Sequence, residues 1–94
     1  MRLTPAQTRQ ITECIHHHLG DAAQVWLFGS RLEDNKRGGD VDIYVETGPH
    51  PIMNELRCKM NLEETLDMPI DLIVRRPDED SSIALIAKTE GLAL

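Results

Sequence analysis

The chain is predicted to fold as a single α/β (α+β) domain, a small mixed β-sheet with helices packed on it. Three observations predict this. Stretches of helical periodicity alternate with short apolar runs rich in Val and Ile. Gly, Pro and Asp punctuate the joins between them. With 94 residues, there is room for one core, burying roughly 60 to 70 per cent of the unfolded surface, so residues 1–94 are read as one domain.

The elements follow in order. Thr4 before Pro5 reads as an N-cap with proline at the first helical position, and Ile11, Cys14, Ile15, His18 and Leu19 then fall at helical spacing. Gly20 ends that helix. Val25-Trp26-Leu27-Phe28 is a short apolar run stopping at Gly29, as expected of a strand buried on both faces. Residues 31–39 are charged, with a helical turn expected from Ser30, and Gly38-Gly39 breaks the chain before a second strand from Asp40 to Glu46. After the loop Gly48-Pro49-His50-Pro51, a helix is predicted to about Leu66, with Ile52, Leu56 and Met60 four apart on one face. Glu63, Glu64 and Asp67 are read as solvated. Pro69 interrupts, and Ile70-Asp71-Leu72-Ile73-Val74 is a third strand with one acidic residue. Asp78, Asp80 and Ser81 offer N-caps for a last helix carrying Ile83, Ala84, Ile86 and Ala87 and ending near Gly91. This alternation, with three helices set to one side, gives a layered domain.

Charge and composition narrow the function. A net charge of −6 and a pI near 5.0 disfavour long nucleic acid as a partner, because nonspecific binding to a polyanion depends on Lys and Arg. No stretch approaches the roughly 20 apolar residues of a membrane span, and the N-terminal residues MRLTPAQTRQ lack an apolar signal core, so the expectation is a cytoplasmic protein with no membrane contact. Cys14 and Cys58 have no CxxC spacing and both fall in helical segments; they are read as reduced packing residues. His16, His17 and His18 splay around a helix, and His50 sits in a proline-flanked loop; all four are read as surface residues.

The most informative segment is GSRLEDNKRGGDVDIYVE, residues 29–46. In a strand, Asp40 and Asp42 share one face while Val41, Ile43 and Val45 share the other. Two adjacent carboxylates repel unless a cation lies between them, and a divalent metal inverts that local charge balance. Asp71, inside an otherwise apolar strand, needs solvent or a cation for the same reason. If the third strand lies beside the second, Asp40, Asp42 and Asp71 converge as an oxygen ligand set for one or two Mg²⁺ ions, suited to phosphoryl transfer. Asp71 is also placed to accept a nucleophile's proton. Gly29 allows close approach of backbone to an anion, Ser30 adds a hydroxyl and an N–H, and Arg31 adds a cation, together a grip for a triphosphate. Tyr44 shares the Asp face and is read as cross-strand packing, and Trp26 as core.

Phe28-Gly29-Ser30-Arg31, Gly39-Asp40-Val41-Asp42-Ile43 and Ile70-Asp71-Leu72, in this order and spacing, resemble the minimal nucleotidyltransferases of the DNA polymerase β-like superfamily. The resemblance spans almost the whole chain and includes the ending Glu90-Gly91-Leu92; the connector Arg31-Leu32-Glu33-Asp34 departs from it, where the family often places a small and a second basic residue. It implies a nucleotidyltransferase-like sheet and transfer of NMP, AMP from ATP, to an acceptor hydroxyl with release of pyrophosphate. In that scheme Gly29, Ser30 and Arg31 hold the nucleoside triphosphate, and Asp40, Asp42 and Asp71 hold Mg²⁺ and carry catalysis. It further implies an antitoxin whose partner is a HEPN-type ribonuclease toxin, modified on a tyrosine by AMP transfer. Two other functions compete. One is a non-catalytic antitoxin on the same scaffold that silences its partner by complex formation. The weaker is transfer to a small molecule such as an aminoglycoside, which needs an enclosing pocket that the chain has little material to build.

Overall fold

A computed structural model describes residues 3–28, 41–78 and 82–94. The elements run α1 (Pro5–Leu19), β1 (Gln24–Phe28), β2 (Val41–Glu46), α2 (Ile52–Leu66), β3 (Ile70–Arg75), α3 (Ser82–Glu90) and β4 (Leu92–Ala93). The strands form one mixed sheet in the order β3-β2-β1-β4. β2 is antiparallel to β1 and parallel to β3, and β4 is antiparallel to β1. A parallel neighbour requires a crossover, and α2 supplies it.

Local chemistry sets each boundary. Thr4 and Gln7 form a reciprocal capping box at the start of α1, with the Gln7 N–H donating to Thr4 Oγ1 at 3.1 Å and the Thr4 N–H donating to Gln7 Oε1 at 2.8 Å. Gly20, at φ 106, ends the helix in backbone that a side chain would strain. The last carbonyls of α1 are taken up by neighbours: Asn54 Nδ2 donates to His18 O at 3.1 Å, and Thr47 Oγ1 donates to Leu19 O at 3.2 Å. α2 ends at Asp67 in the left-handed region, φ 53, which Asp tolerates better than branched residues.

The main core lies between one face of the sheet and the pair α1/α2. Ile11, Ile15, Cys58 and Leu62 from the helices meet Val41, Ile43 and Val45 from β2, and all are fully buried. A smaller cluster on the opposite face joins Phe28, Tyr44, Ala84 and Ala87, with Trp26, Ile73 and Ile83 packed against it. Cys14 and Cys58 are free thiols 4.0 Å apart between α1 and α2, and burial pushes both thiols up from their ordinary pKa.

Several expectations change. The helices do not share one side, since α3 packs on the face opposite α1 and α2. The stripe of α2 that enters the core is Cys58, Leu62 and Leu66, while Ile52, Leu56 and Met60 face outward. Both sets repeat every four residues, so periodicity alone does not choose between them. Glu63 is half-buried and accepts the Ile70 N–H at 3.1 Å, whereas Glu64 and Asp67 are exposed as expected. β4 was not foreseen: two residues pair with Trp26 and Leu27 where a mere chain ending was read. Ile86 is also exposed, and the buried residues of α3 are Ala84 and Ala87. The helical turn expected from Ser30, and the caps Asp80 and Ser81, lie outside the described residues.

Candidate active site

Alternation along β2 separates structure from chemistry. Val41, Ile43 and Val45 enter the main core, and Asp42, Tyr44 and Glu46 occupy the other face. The parallel register with β3 sets Asp71 directly beside Asp42 and Ile73 beside Tyr44. Neighbouring strands are about 4.8 Å apart, so the two carboxylates share one face at the start of both strands. Asp42 is half-buried and Asp71 exposed. Phe28, the last residue of β1, pairs with Asp42, so β1 ends and β2 begins at this same end of the sheet.

α3 covers only part of this face. Ala84 and Ala87 are buried against Phe28 and Tyr44, and their small side chains let the helix lie close. Beyond them the Tyr44 hydroxyl donates to Glu46 Oε2 at 2.9 Å, and Lys88 Nζ meets the same oxygen at 2.6 Å. Glu46 is 3% exposed, so the lysine and the phenol compensate a carboxylate removed from water. Lys88 also lies 5.5 Å from the centre of the Trp26 ring, and Trp26 stands 5.7 Å from Tyr44. Tyr44 is therefore a packing residue, as expected, with its hydroxyl directed along β2 away from Asp42. Trp26 is half-buried under Lys88 rather than in the main core.

Of the six residues expected to form the site, Asp42 and Asp71 are brought together, and Gly29, Ser30, Arg31 and Asp40 lie outside the described residues. Among the described residues no group of three His, Cys, Asp or Glu side chains converges as a metal site. The Asp42–Asp71 pair supplies carboxylate oxygens, the donor type that suits a hard divalent cation such as Mg²⁺. Sequence reasoning missed Glu46 and Lys88. Glu46 follows Asp42 and Tyr44 at steps of two, a readable signal; Lys88 is forty-two positions further on, and nothing local joins it to Glu46.

His50 was also misjudged. It is half-buried, with Nδ1 2.8 Å from Gly48 O and Nε2 2.6 Å from Glu55 Oε2. Both partners are acceptors, so the ring satisfies both only when doubly protonated. The Gly48 carbonyl, and then Glu55, hold its pKa above the ordinary imidazole value against the opposing pull of burial. The three consecutive histidines diverge: His16 Nε2 lies 3.1 Å from Ala23 O and His18 Nε2 3.1 Å from Asn61 Nδ2. Burial, with His17 and Arg57 nearby, pushes the His18 pKa down.

A four-stranded mixed sheet with helices on both faces and paired carboxylates at the start of two parallel strands is a nucleotidyltransferase-like fold. Among solved structures, a doubly substituted mutant of the MntA-HpeT toxin-antitoxin matches at a TM-score of 0.72 and 18% identity, over 90% of this chain and 69% of the other. A second MntA-HpeT mutant matches at 0.69 and 20% identity over 93% and 69%. The structure of a tri-AMPylated Shewanella oneidensis HEPN toxin in complex with MNT antitoxin matches at 0.69 and 19% identity over 94% and 68%. No protein-family model and no curated protein matches the chain. None of the described helices is long and apolar enough to cross a membrane.

Proposed function

We propose that the chain is a nucleotidyltransferase antitoxin that transfers NMP, AMP from ATP, to a hydroxyl of a HEPN-type toxin and so neutralises it. The observation that carries this reading is the register of β2 against β3, which sets Asp42 and Asp71 side by side on the face that α3 leaves uncovered. The likeness to MntA-HpeT and to the complex of an AMPylated HEPN toxin supports the same reading.

Asp40, Asp42 and Asp71 would hold Mg²⁺, which when bound offsets charge on the phosphates of the nucleotide. Gly29, Ser30 and Arg31 follow β1 directly and would take the triphosphate, with backbone N–H, hydroxyl and guanidinium as donors. Asp71, the more exposed of the described pair, is open to an incoming acceptor hydroxyl and would receive its proton. The acceptor oxygen then forms the new bond to the α-phosphorus while the bond to pyrophosphate breaks. α3, held by Lys88 on Glu46, bounds the site on the side away from Asp71.

Intact-mass measurement of the toxin co-encoded with the chain, after incubation with the chain, ATP and Mg²⁺, tests the proposal. Mass gained in AMP steps, and absent with Asp42→Asn, is the expected result. A stable, silent complex with no mass gain would replace transfer by neutralisation through binding alone.

A further inference from the structure

β3 is a border of the sheet: it has β2 on one side and, among the described residues, no strand on the other. Backbone groups of successive residues in a strand point to opposite sides. Pro69 O accepts the Val41 N–H and Arg75 O accepts the Thr47 N–H, both at 3.0 Å. Odd-numbered residues of β3 therefore bond to β2, and Ile70, Leu72 and Val74 turn their N–H and C=O groups outward. Two of these outward groups are engaged, since Glu63 Oε2 accepts the Ile70 N–H at 3.1 Å and Arg75 Nη1 donates to Val74 O at 2.9 Å. Between them the N–H and C=O of Leu72, with Ile70 O and the Val74 N–H, have no partner among the described residues. An edge closed at both ends and open in the middle admits a short extended segment and no long one.

The side chains of this border have a definite order. Ile70, Leu72 and Val74 turn to the main core, so Asp71, Ile73 and Arg75 share the opposite face, where Asp71 stands beside Asp42. Asp71 and Arg75 are exposed and Ile73 is half-buried. A strand added to β3 would thus meet a carboxylate, an apolar residue and a guanidinium at steps of two. The carboxylate is the one to which the transfer reading assigns the acceptor's proton.

The geometry points to strand addition as the way the acceptor is presented: an extended segment of the protein acceptor pairs with β3 at Leu72 and sets its hydroxyl residue opposite Asp71. This rests on the transfer reading and names how its acceptor is held. With strands about 4.8 Å apart, the hydroxyl residue lies one spacing from Asp71 and two from Asp42, all on one face. The acceptor residue two positions along faces Ile73 and is apolar; the one four along faces Arg75 and is acidic. Backbone pairing supplies the affinity and these alternate side chains the selectivity. A second copy of the chain does not fit the place, because Ile70–Arg75 contains no Ser, Thr or Tyr. β3 laid against β3 would cover Asp71 and supply no acceptor.

Amide hydrogen exchange, read residue by residue by NMR on the full chain alone and with its co-encoded toxin, tests the pairing without any transfer. The Leu72 amide should exchange freely in the chain alone and slow by about tenfold or more in the complex, while the amides of Asp71 and Ile73, already bonded to β2, change little. Leu72→Pro removes the outward N–H and leaves the bonds to β2, the one setting in which a strand tolerates proline. Leu72→Ala loses the same side chain and keeps the N–H. Leu72→Pro should raise the KM for the toxin about tenfold above that of Leu72→Ala, with kcat nearly equal. If Leu72→Pro does not fold, exchange in the unaltered chain decides alone. AMP transfer to the toxin with the Leu72 amide still exchanging freely would overturn the inference and leave the transfer reading standing. A slowed Leu72 amide in a complex that gains no AMP would overturn the transfer reading and keep the paired strand. Slowing that follows the chain's own concentration, with no toxin present, would put a second copy on the edge and overturn the inference.

Discussion

On the face of the sheet beneath α1 and α2, β2 presents Val41, Ile43 and Val45, all fully buried. On the face beneath α3 the same strand presents Asp42, Tyr44 and Glu46, and among the described residues the cover is a single nine-residue helix. The first face has no polar group to satisfy and is closed by two fifteen-residue helices. The second carries three polar side chains in a row, and each is handled differently: Glu46 is compensated by Lys88 and Tyr44, Tyr44 is walled in by alanines, and Asp42 is left beside Asp71 near solvent. A strand of six residues thus gives its odd positions to the main core and its even ones to a polar face. Substitutions one residue apart should consequently report on different properties.

The sharpest contrast is between Asp42 and Ile43. Asp42→Asn is expected to lower the proposed AMP transfer by on the order of a thousandfold, about 4 kcal/mol of barrier, with the melting temperature nearly unchanged. Ile43→Ala should do the reverse. Deleting a fully buried branched side chain costs about 3 kcal/mol, read by urea denaturation, while transfer per folded molecule persists. If Asp42→Asn unfolded the chain, or Ile43→Ala abolished transfer without loss of stability, the division between the faces would fail. Tyr44→Phe refines it further. Removing the donor to Glu46 while Lys88 remains should cost about 1 kcal/mol and leave transfer almost intact, since the hydroxyl points away from Asp42.

The smallest effect lies at the entry to α2. Because the folded pKa of His50 is raised, its contribution is fully present below the unfolded value of about 6.5 and is lost as pH rises through the folded value. Partial exposure of the pair to solvent limits this to under about 1 kcal/mol. Denaturation midpoints on either side of neutrality should show the decline, and His50→Gln should flatten it.

Much of the fold was legible because its signals are local. Thr4 and Pro5 mark the start of α1 in adjacent positions, and Gly20 its end. The valines and isoleucines of β2 and β3 announce strands by composition, and Asp71 stands out as a charge among them. The proximity of Asp42 to Asp71 was expected only on the condition that the two strands are neighbours, because register is a property of the assembled sheet. The orientation of α2 was illegible for a related reason: two apolar rows compete, and the one facing α1 and the sheet is chosen by packing across the domain. His50 looked like a loop histidine because its partner, Glu55, belongs to the next helix. β4 was missed because two residues carry no periodicity at all.

That short strand has a consequence for how the molecule behaves among its neighbours. β1 offers backbone donors and acceptors on both sides, and β2 satisfies one side along its length. The other side is occupied by Leu92 and Ala93, with the Leu94 N–H donating to Val25 O at 2.9 Å. An unpaired strand is a template onto which another chain can add, the first step toward aggregation. Three residues thus act as a guard rail. Displacing them would leave the fold's core in place yet expose the apolar strand Val25–Phe28 to recruitment by any extended peptide that reaches it.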